Sequence, residues 1–344
     1  MLGSFNKGAG SVGRVVETCR RVMETVSCDT TPAVTIDATG LASLAERLNT
    51  EYPAGTPHAP HYATERPAVA LPTWESDSYH FRDLSSPEGI EVTAAYVLVL
   101  DAINFCFWPA EVAGWEYDTL AGSIKRVAET EGMAGLGGDA LAGMEMDTLI
   151  EWFGGSPPPR AEQRLRLLRE LGNGLNAHFG GSAAALITSA EGSAVELVAR
   201  IIALFPGFRD ETLFRGDQVV FYKRAQIFVG DVWGAFGGSG LGDFHDIAAL
   251  SMFADYRIPQ LLRHLGVLVY APSLGEDVDG LVQIQAGSEP EIAIRAATVV
   301  AVENLRALLH AEWTSVQLDW WLWEEGEANL DSIGPHHRTL TVFY

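Results

Sequence analysis

Residues 289–309 read EPEIAIRAATVVAVENLRALL, and this stretch reads as a helix. Its neighbours agree with it. Residues 316–327 read as a further helix, and 259–265 and 247–254 as two more. Upstream, 194–204 is helical and is stopped by Pro206-Gly207, while 161–175 is a charged amphipathic helix after the break Ser156-Pro-Pro-Pro159. Residues 11–28 carry Val12, Val15, Val16, Cys19, Val22, Met23 and Val26 at helical spacing, and 37–49 repeat the pattern after an Asp37-Ala-Thr start. Two stretches stay open. Residues 92–108 are densely apolar with Asp101 and Asn104 inside, and 218–229 fit strand or helix alike. Gly135 to Gly138 and Gly237 to Gly242 mark turns, and 51–73, rich in Pro, His and Ala, reads as an extended surface loop. Helix signals outnumber strand signals several-fold, so the expected fold is mainly α with a few short strands.

The 344 residues suffice for one large domain or for two that share an interface. Acidic residues outnumber basic ones 45 to 23, a formal net charge of −22. A duplex nucleic-acid binder needs a basic surface to neutralise phosphates, so this balance favours a small-molecule substrate. Cys19, Cys28 and Cys106 form no C-x-x-C pair, which argues against a zinc ribbon or a disulfide framework. No apolar run suits a signal peptide or a membrane span. A cytoplasmic enzyme is the expectation.

Several motifs invite chemistry and fail on context. Gly8-Ala-Gly-Ser-Val-Gly13 matches a dinucleotide fingerprint but lacks room for a preceding strand. His58 and His61 have metal-ligand spacing without a partner cluster, and His336-His337 meets the same objection. Cys106, flanked by aromatics, reads as a core residue. No G-x-S-x-G elbow is present. No metal or organic cofactor is expected.

Two segments carry more. Asp319-Trp-Trp-Leu-Trp-Glu-Glu325 lies in the last helix. At about 100° per residue, Asp319, Trp323, Trp320 and Glu324 share an arc of roughly 140°. Either the acids are wet at an interfacial helix, or the face is a wall that stacks on a heterocycle and accepts N–H bonds from its edge. The second segment is Met252-Phe-Ala-Asp-Tyr-Arg-Ile-Pro259, where Asp255 stands just before a helix that Pro259 is placed to start. A carboxylate there is held ionised by the helix dipole, as oxocarbenium stabilisation needs, and an ordinary N-cap is the alternative.

Taken together, Asp101-Ala-Ile-Asn-Phe-Cys-Phe-Trp108, Phe205-Pro-Gly-Phe-Arg-Asp-Glu-Thr-Leu213, Phe221-Tyr-Lys-Arg-Ala-Gln-Ile227, Met252 to Gln260, Leu318-Asp-Trp-Trp-Leu-Trp323 and Pro335-His-His-Arg338 resemble the queuosine salvage family, the queuosine-5′-phosphate N-glycosylase/hydrolases. The resemblance runs in order from about residue 75 to the C-terminus and leaves out 51–73. It implies a fold similar to helix–hairpin–helix DNA glycosylases. That would be a single glycosylase-like domain over 1–344, or two helical lobes with the active site between them. It implies Asp255 as the catalytic acid group, and His80, Phe253, Asp255, Asp319, Trp320 and Glu324 as the base pocket. Trp320 stands where the family commonly has Tyr, and Glu324 where it has Asp. Lys223, Arg224 and Arg257 are candidates for the 5′-phosphate, with Asp231 and Trp233 as supporting positions. The expected reaction releases queuine and ribose 5-phosphate from a free nucleotide, with no duplex nucleic acid, membrane or obligate protein partner. A DNA base-excision glycosylase and a non-catalytic queuine-binding protein are the rival readings.

Overall fold

A computed structural model describes residues 12–56, 79–108 and 115–344. The Pro-rich stretch beyond residue 56, His58, His61 and most of the Gly8–Gly13 motif lie outside these residues. From the N-terminus come α1 (Gly13–Ser27), β1 (Val34–Ile36) and α2 (Ala38–Glu51). A helical run follows: α3 (Pro87–Ala102), α4 (Tyr117–Thr130), α5 (Met133–Leu136), α6 (Gly138–Ala142), α7 (Met146–Trp152), α8 (Ala161–Phe179), α9 (Ala183–Ser189) and α10 (Ala194–Leu204). The chain then passes through β2 (Glu211–Phe214), β3 (Asp217–Val220), α11 (Lys223–Ala235), α12 (Arg257–His264), β4 (Leu268–Tyr270), α13 (Pro272–Asp279), α14 (Glu289–Leu308) and α15 (Ser315–Ala328). The protein is mainly α, with a few short strands.

The described residues group into two compact units. Residues 12–56, 210–226 and 248–341 make the first. Its centre is α14, which packs on α1, α2, α12, α15, β1 and β4. From Ile292 to Val302 nearly every side chain of α14 is buried, which explains why the run is apolar on all sides rather than on one stripe. β1 and β4 pair antiparallel, with Val34 opposite Tyr270. β2 and β3 form a hairpin whose turn, Arg215-Gly216, has positive φ at both residues.

Residues 79–108, 115–209, 227–247 and 342–344 make the second unit. Here α3 is buried along most of its length and packs on α4, α5, α8 and α9. The ambiguous run 92–108 is therefore a buried helix to Ala102 and an irregular segment beyond it. Arg164 of α8 holds that segment, donating to the carbonyls of Ile103, Phe105 and Cys106, with its guanidinium over the Phe105 ring. Cys106 is buried there and donates to the Trp108 carbonyl, so it is a core residue.

The open stretch 218–229 turns out to be both structures in sequence: β3 ends at Val220 and α11 begins at Lys223. Residues 247–254 differ from expectation. A single 3-10 turn, Ile247–Ala249, is followed by an irregular run from 250 to 255. The reason lies in who takes its amides. The Ser251 N–H donates to Gln226 Oε1 and the Phe253 N–H to Asp319 Oδ1, so buried side chains replace the helical i→i−4 acceptors. That exchange creates the segment that carries Asp255.

Candidate active site

Asp255 stands at the head of α12. Its Oδ1 accepts the N–H groups of Arg257 and Ile258, each at 3.0 Å. It thereby fills the capping role that the Tyr256 side chain leaves unfilled. The carboxylate is only partly accessible, and burial pushes its carboxyl above the usual range. The Lys223 ammonium, the two amides and Arg257 pull the other way, and desolvation wins. The result is a poorly hydrated acid fixed on the positive end of a helix.

Asp319 comes from α15. A reciprocal capping box between Thr314 and Gln317 starts that helix. Asp319 is 5% exposed, and its Oδ1 accepts the Phe253 N–H at 2.7 Å. This bond joins α15 to the segment two residues before Asp255. Asp319 is thus buried and bonded, which sets it apart from a wet acid, whereas Glu324 is exposed. Between them, Trp320 and Trp323 are half-buried and so keep part of their indole surface open. The Phe253 ring is enclosed, at 1% exposure, and its backbone is the part that meets Asp319.

α12 and α15 pack together, and Gly326 is the close approach: a Cβ there would stand 3.2 Å from Arg257 Cγ. Arg257 crosses this gap. Its Nε donates to Glu327 at 2.7 Å and another guanidinium N–H to Gln260 at 2.6 Å. The head of α12 is thus pinned to α15 by the cation that the sequence offered for phosphate. Lys223 and Arg224 open α11, and both are buried. The Lys223 N–H donates to Asp210 Oδ2 at 3.3 Å.

Sequence reasoning missed two residues of this unit, Asp210 and Arg295. They form a buried bidentate pair, with Arg295 Nη1 and Nη2 donating to the two oxygens of Asp210 at 3.0 and 2.5 Å. The signal was available: Arg295 is the sole charge in the run from Ile292 to Val302. Such a charge must be paired or neutralised.

In the second unit His80 is buried, with Nε2 2.9 Å from the Tyr117 hydroxyl and the Tyr79 ring edge-on at 4.6 Å. Burial drives the Tyr117 phenol well up, and the charges of Asp231 and Asp101 add to the effect. Tyr96 behaves alike for the same reasons. Asp231 is buried on α11 and Trp233 half-buried. The structure therefore gathers Phe253, Asp255, Arg257, Asp319 and Lys223 in the first unit. His80, Asp231 and Trp233 belong to the second. Among the described residues no cluster of three or more His, Cys, Asp or Glu side chains is set to hold a metal ion, and no helix is long and apolar enough to cross a membrane.

Comparison with known proteins adds a family. The model of the queuosine salvage protein family matches residues 84–344. A queuosine 5′-phosphate N-glycosylase/hydrolase of Dictyostelium discoideum is 45% identical over 79% of this chain and 85% of its own length. One of Sphaerobacter thermophilus is 41% identical over 96% of this chain and 97% of its own. One of Mus musculus is 30% identical over 82% and 91%. Matches of this extent, over the same segments that position Asp255 and Asp319, place the chain: it belongs to the queuosine salvage protein family.

Proposed function

We propose that this protein is an N-glycosylase that hydrolyses queuosine 5′-phosphate to queuine and ribose 5-phosphate. The observation that carries the reading is the Phe253 N–H to Asp319 bond, which couples a base-recognition candidate to the acid at the head of α12. The relatives' names supply the substrate class.

Breaking the C–N bond builds positive charge at C1′ and negative charge on the departing base. Asp255 answers the first demand, as an electrostatic stabiliser or as a nucleophile that forms a transient glycosyl ester. Its poor hydration strengthens its field at the sugar. Queuine is a 7-deazaguanine and lacks the N7 whose protonation helps ordinary purines depart, so the enzyme must grip the base elsewhere. Asp319 accepts from the N1–H and exocyclic amine, and Glu324 pairs with the cationic aminomethyl group. Trp320 stacks on the ring, an interaction of about 1–3 kcal/mol by analogy with single-strand binders. Phe253 contributes to the same wall, and its enclosed ring ranks it behind Trp320 as a stacking surface. Water adds hydroxyl to C1′, and its proton goes to the base.

Lys223, Arg224 and Arg257 are the candidates for the phosphate, and Arg257 also binds Glu327 and Gln260. Asp231 and Trp233 lie farther along α11, and their supporting role rests on the resemblance alone. A role for His80 in contacting the base or sugar rests on the resemblance alone. The likeness to helix–hairpin–helix glycosylases accounts for an acid at a helix head and belongs to the same proposal. The charge of −22 supports a free nucleotide over tRNA or duplex DNA as substrate. All three cysteines are free thiols, which supports a cytoplasmic setting.

Incubating the protein with queuosine 5′-phosphate and following free queuine by mass spectrometry tests the reading. Stoichiometric queuine and ribose 5-phosphate are expected, and an intact nucleotide at high enzyme concentration would sink it.

A further inference from the structure

We propose that Arg295 is a positioning residue for Asp255, acting through the Ala254 carbonyl; the proposal rests on the reading of Asp255 given above. Arg295 sits inside α14 at 3% exposure. Its Nε and Nη2 both donate to the Ala254 carbonyl, at 3.1 and 3.0 Å. The other edge of the fork grips both oxygens of Asp210. The Phe221 ring lies 3.8 Å from the guanidinium carbon, and Glu291 is 3.5 Å away, one turn back on α14.

Each contact fixes one degree of freedom of the planar fork. Asp210 sets its direction and Phe221 sets its plane, so the donors facing Ala254 have one orientation left. Asp210 is itself built in: its carbonyl accepts the Phe221 N–H at 2.9 Å, and its carboxylate accepts the Lys223 N–H. The peptide after Ala254 is that of Asp255. The short irregular segment is therefore clamped on both sides of the reacting group. Asp319 holds Phe253 before it, Arg295 holds Ala254 beside it, and the α12 amides hold the carboxylate itself.

A buried ion pair gives little net stability relative to a well-packed apolar pair, so stability alone does not explain this one. Orientation does. A misplacement on the order of 1 Å at a reacting group is enough to lower turnover about a hundredfold. Lys is the informative replacement: it keeps the positive charge for Asp210 and Glu291 but has no fork to span Asp210 and Ala254.

The test compares the parent and Arg295→Lys in steady-state release of queuine from queuosine 5′-phosphate, with thermal melting alongside. For a folded variant we expect kcat to fall about tenfold or more while KM stays within about threefold, the split of lost positioning without lost binding. Parent-like kcat, or a loss lying wholly in KM, would overturn the proposal. If Arg295→Lys does not fold, Asp210→Asn frees the direction of the fork and should give the same split, with parent-like kcat again decisive against it. Amide hydrogen exchange at Arg257 and Ile258 reads the clamp without using activity. Faster exchange in the variant is expected, and unchanged protection contradicts the clamp. A parent that releases no queuine would instead refute the glycosylase reading, and exchange would still judge Arg295.

Discussion

Asp255 has two jobs that substitution can separate. As a cap it holds two amides of α12, and as an anion it faces the sugar in the proposed reaction. Asparagine caps a helix nearly as well as aspartate, so Asp255→Asn should melt close to the parent. Its queuine release should fall by about 10²-fold or more, as when one electrostatic stabiliser is removed from a site. Asp255→Ala should lose activity similarly and also about 0.5–2 kcal/mol of stability, read by denaturant unfolding. The pH dependence follows from the raised pKa. The proposed reaction needs the carboxylate, so kcat/KM should fall on an acid limb that lies above the ordinary aspartate range, and an acid limb at or below that range would contradict the burial argument. Stability moves oppositely: the fold disfavours this ionisation, so this group's contribution to stability grows as pH falls through the same window. At this scale the sequence was informative where a residue's type conflicts with its surroundings. Asp255 before a helix, and Asp319 among tryptophans, announced themselves. Arg295 did so too, as a charge in an apolar run, but nothing in the sequence says that its partner is Asp210, 85 positions away.

At the scale of elements, α15 carries the proposed recognition surface. Trp320→Ala should weaken queuine binding by about 1–3 kcal/mol with little change in fold, measured by fluorescence titration or calorimetry. Unchanged affinity would remove Trp320 from the base wall. The helices α10, α14 and α15 were legible almost to the residue because caps and periodicity agree: Ser193 and Thr314 accept the expected amides, and Pro290 stands in the first turn of α14. Residues 247–254 were misread for a physical reason. Their composition suits a helix, yet Gln226 and Asp319, distant in sequence, offer their amides better buried acceptors. Local propensity cannot register an acceptor that arrives from another element. The same blindness hid the strand-to-helix change at 220–223, where the Asp210 carbonyl takes the Phe221 and Tyr222 amides.

At the scale of the whole molecule, charge and buried histidines set the behaviour in solution. A chain at −22 should show no measurable affinity for duplex DNA or tRNA at physiological salt. Salt-dependent binding in a filter or anisotropy assay would contradict the free-nucleotide reading. Burial depresses His336, whose ring lies tilted against Tyr256, to about 4 and His337 to about 3. Both are neutral in the fold and charge readily once unfolded. The stability they protect is complete above about pH 6.5 and is lost as pH falls toward 4. Denaturant unfolding should therefore show a loss on the order of 2–4 kcal/mol between pH 7 and 5, and His337→Gln should flatten it. A flat profile for the parent would show that these rings are not buried as described. Mainly helical character and a small-molecule substrate were both legible from composition and periodicity. Which segments make up each of the two units was not, because each gathers segments far apart along the chain.

The central claim is that an acid at the head of α12 drives glycosidic cleavage. Its most direct test is single-turnover release of queuine from saturating queuosine 5′-phosphate by the parent and by Asp255→Asn, with queuine affinity measured on both. Release slowed by about 10²-fold or more at parent-like affinity is the predicted result. Equal release rates would contradict it.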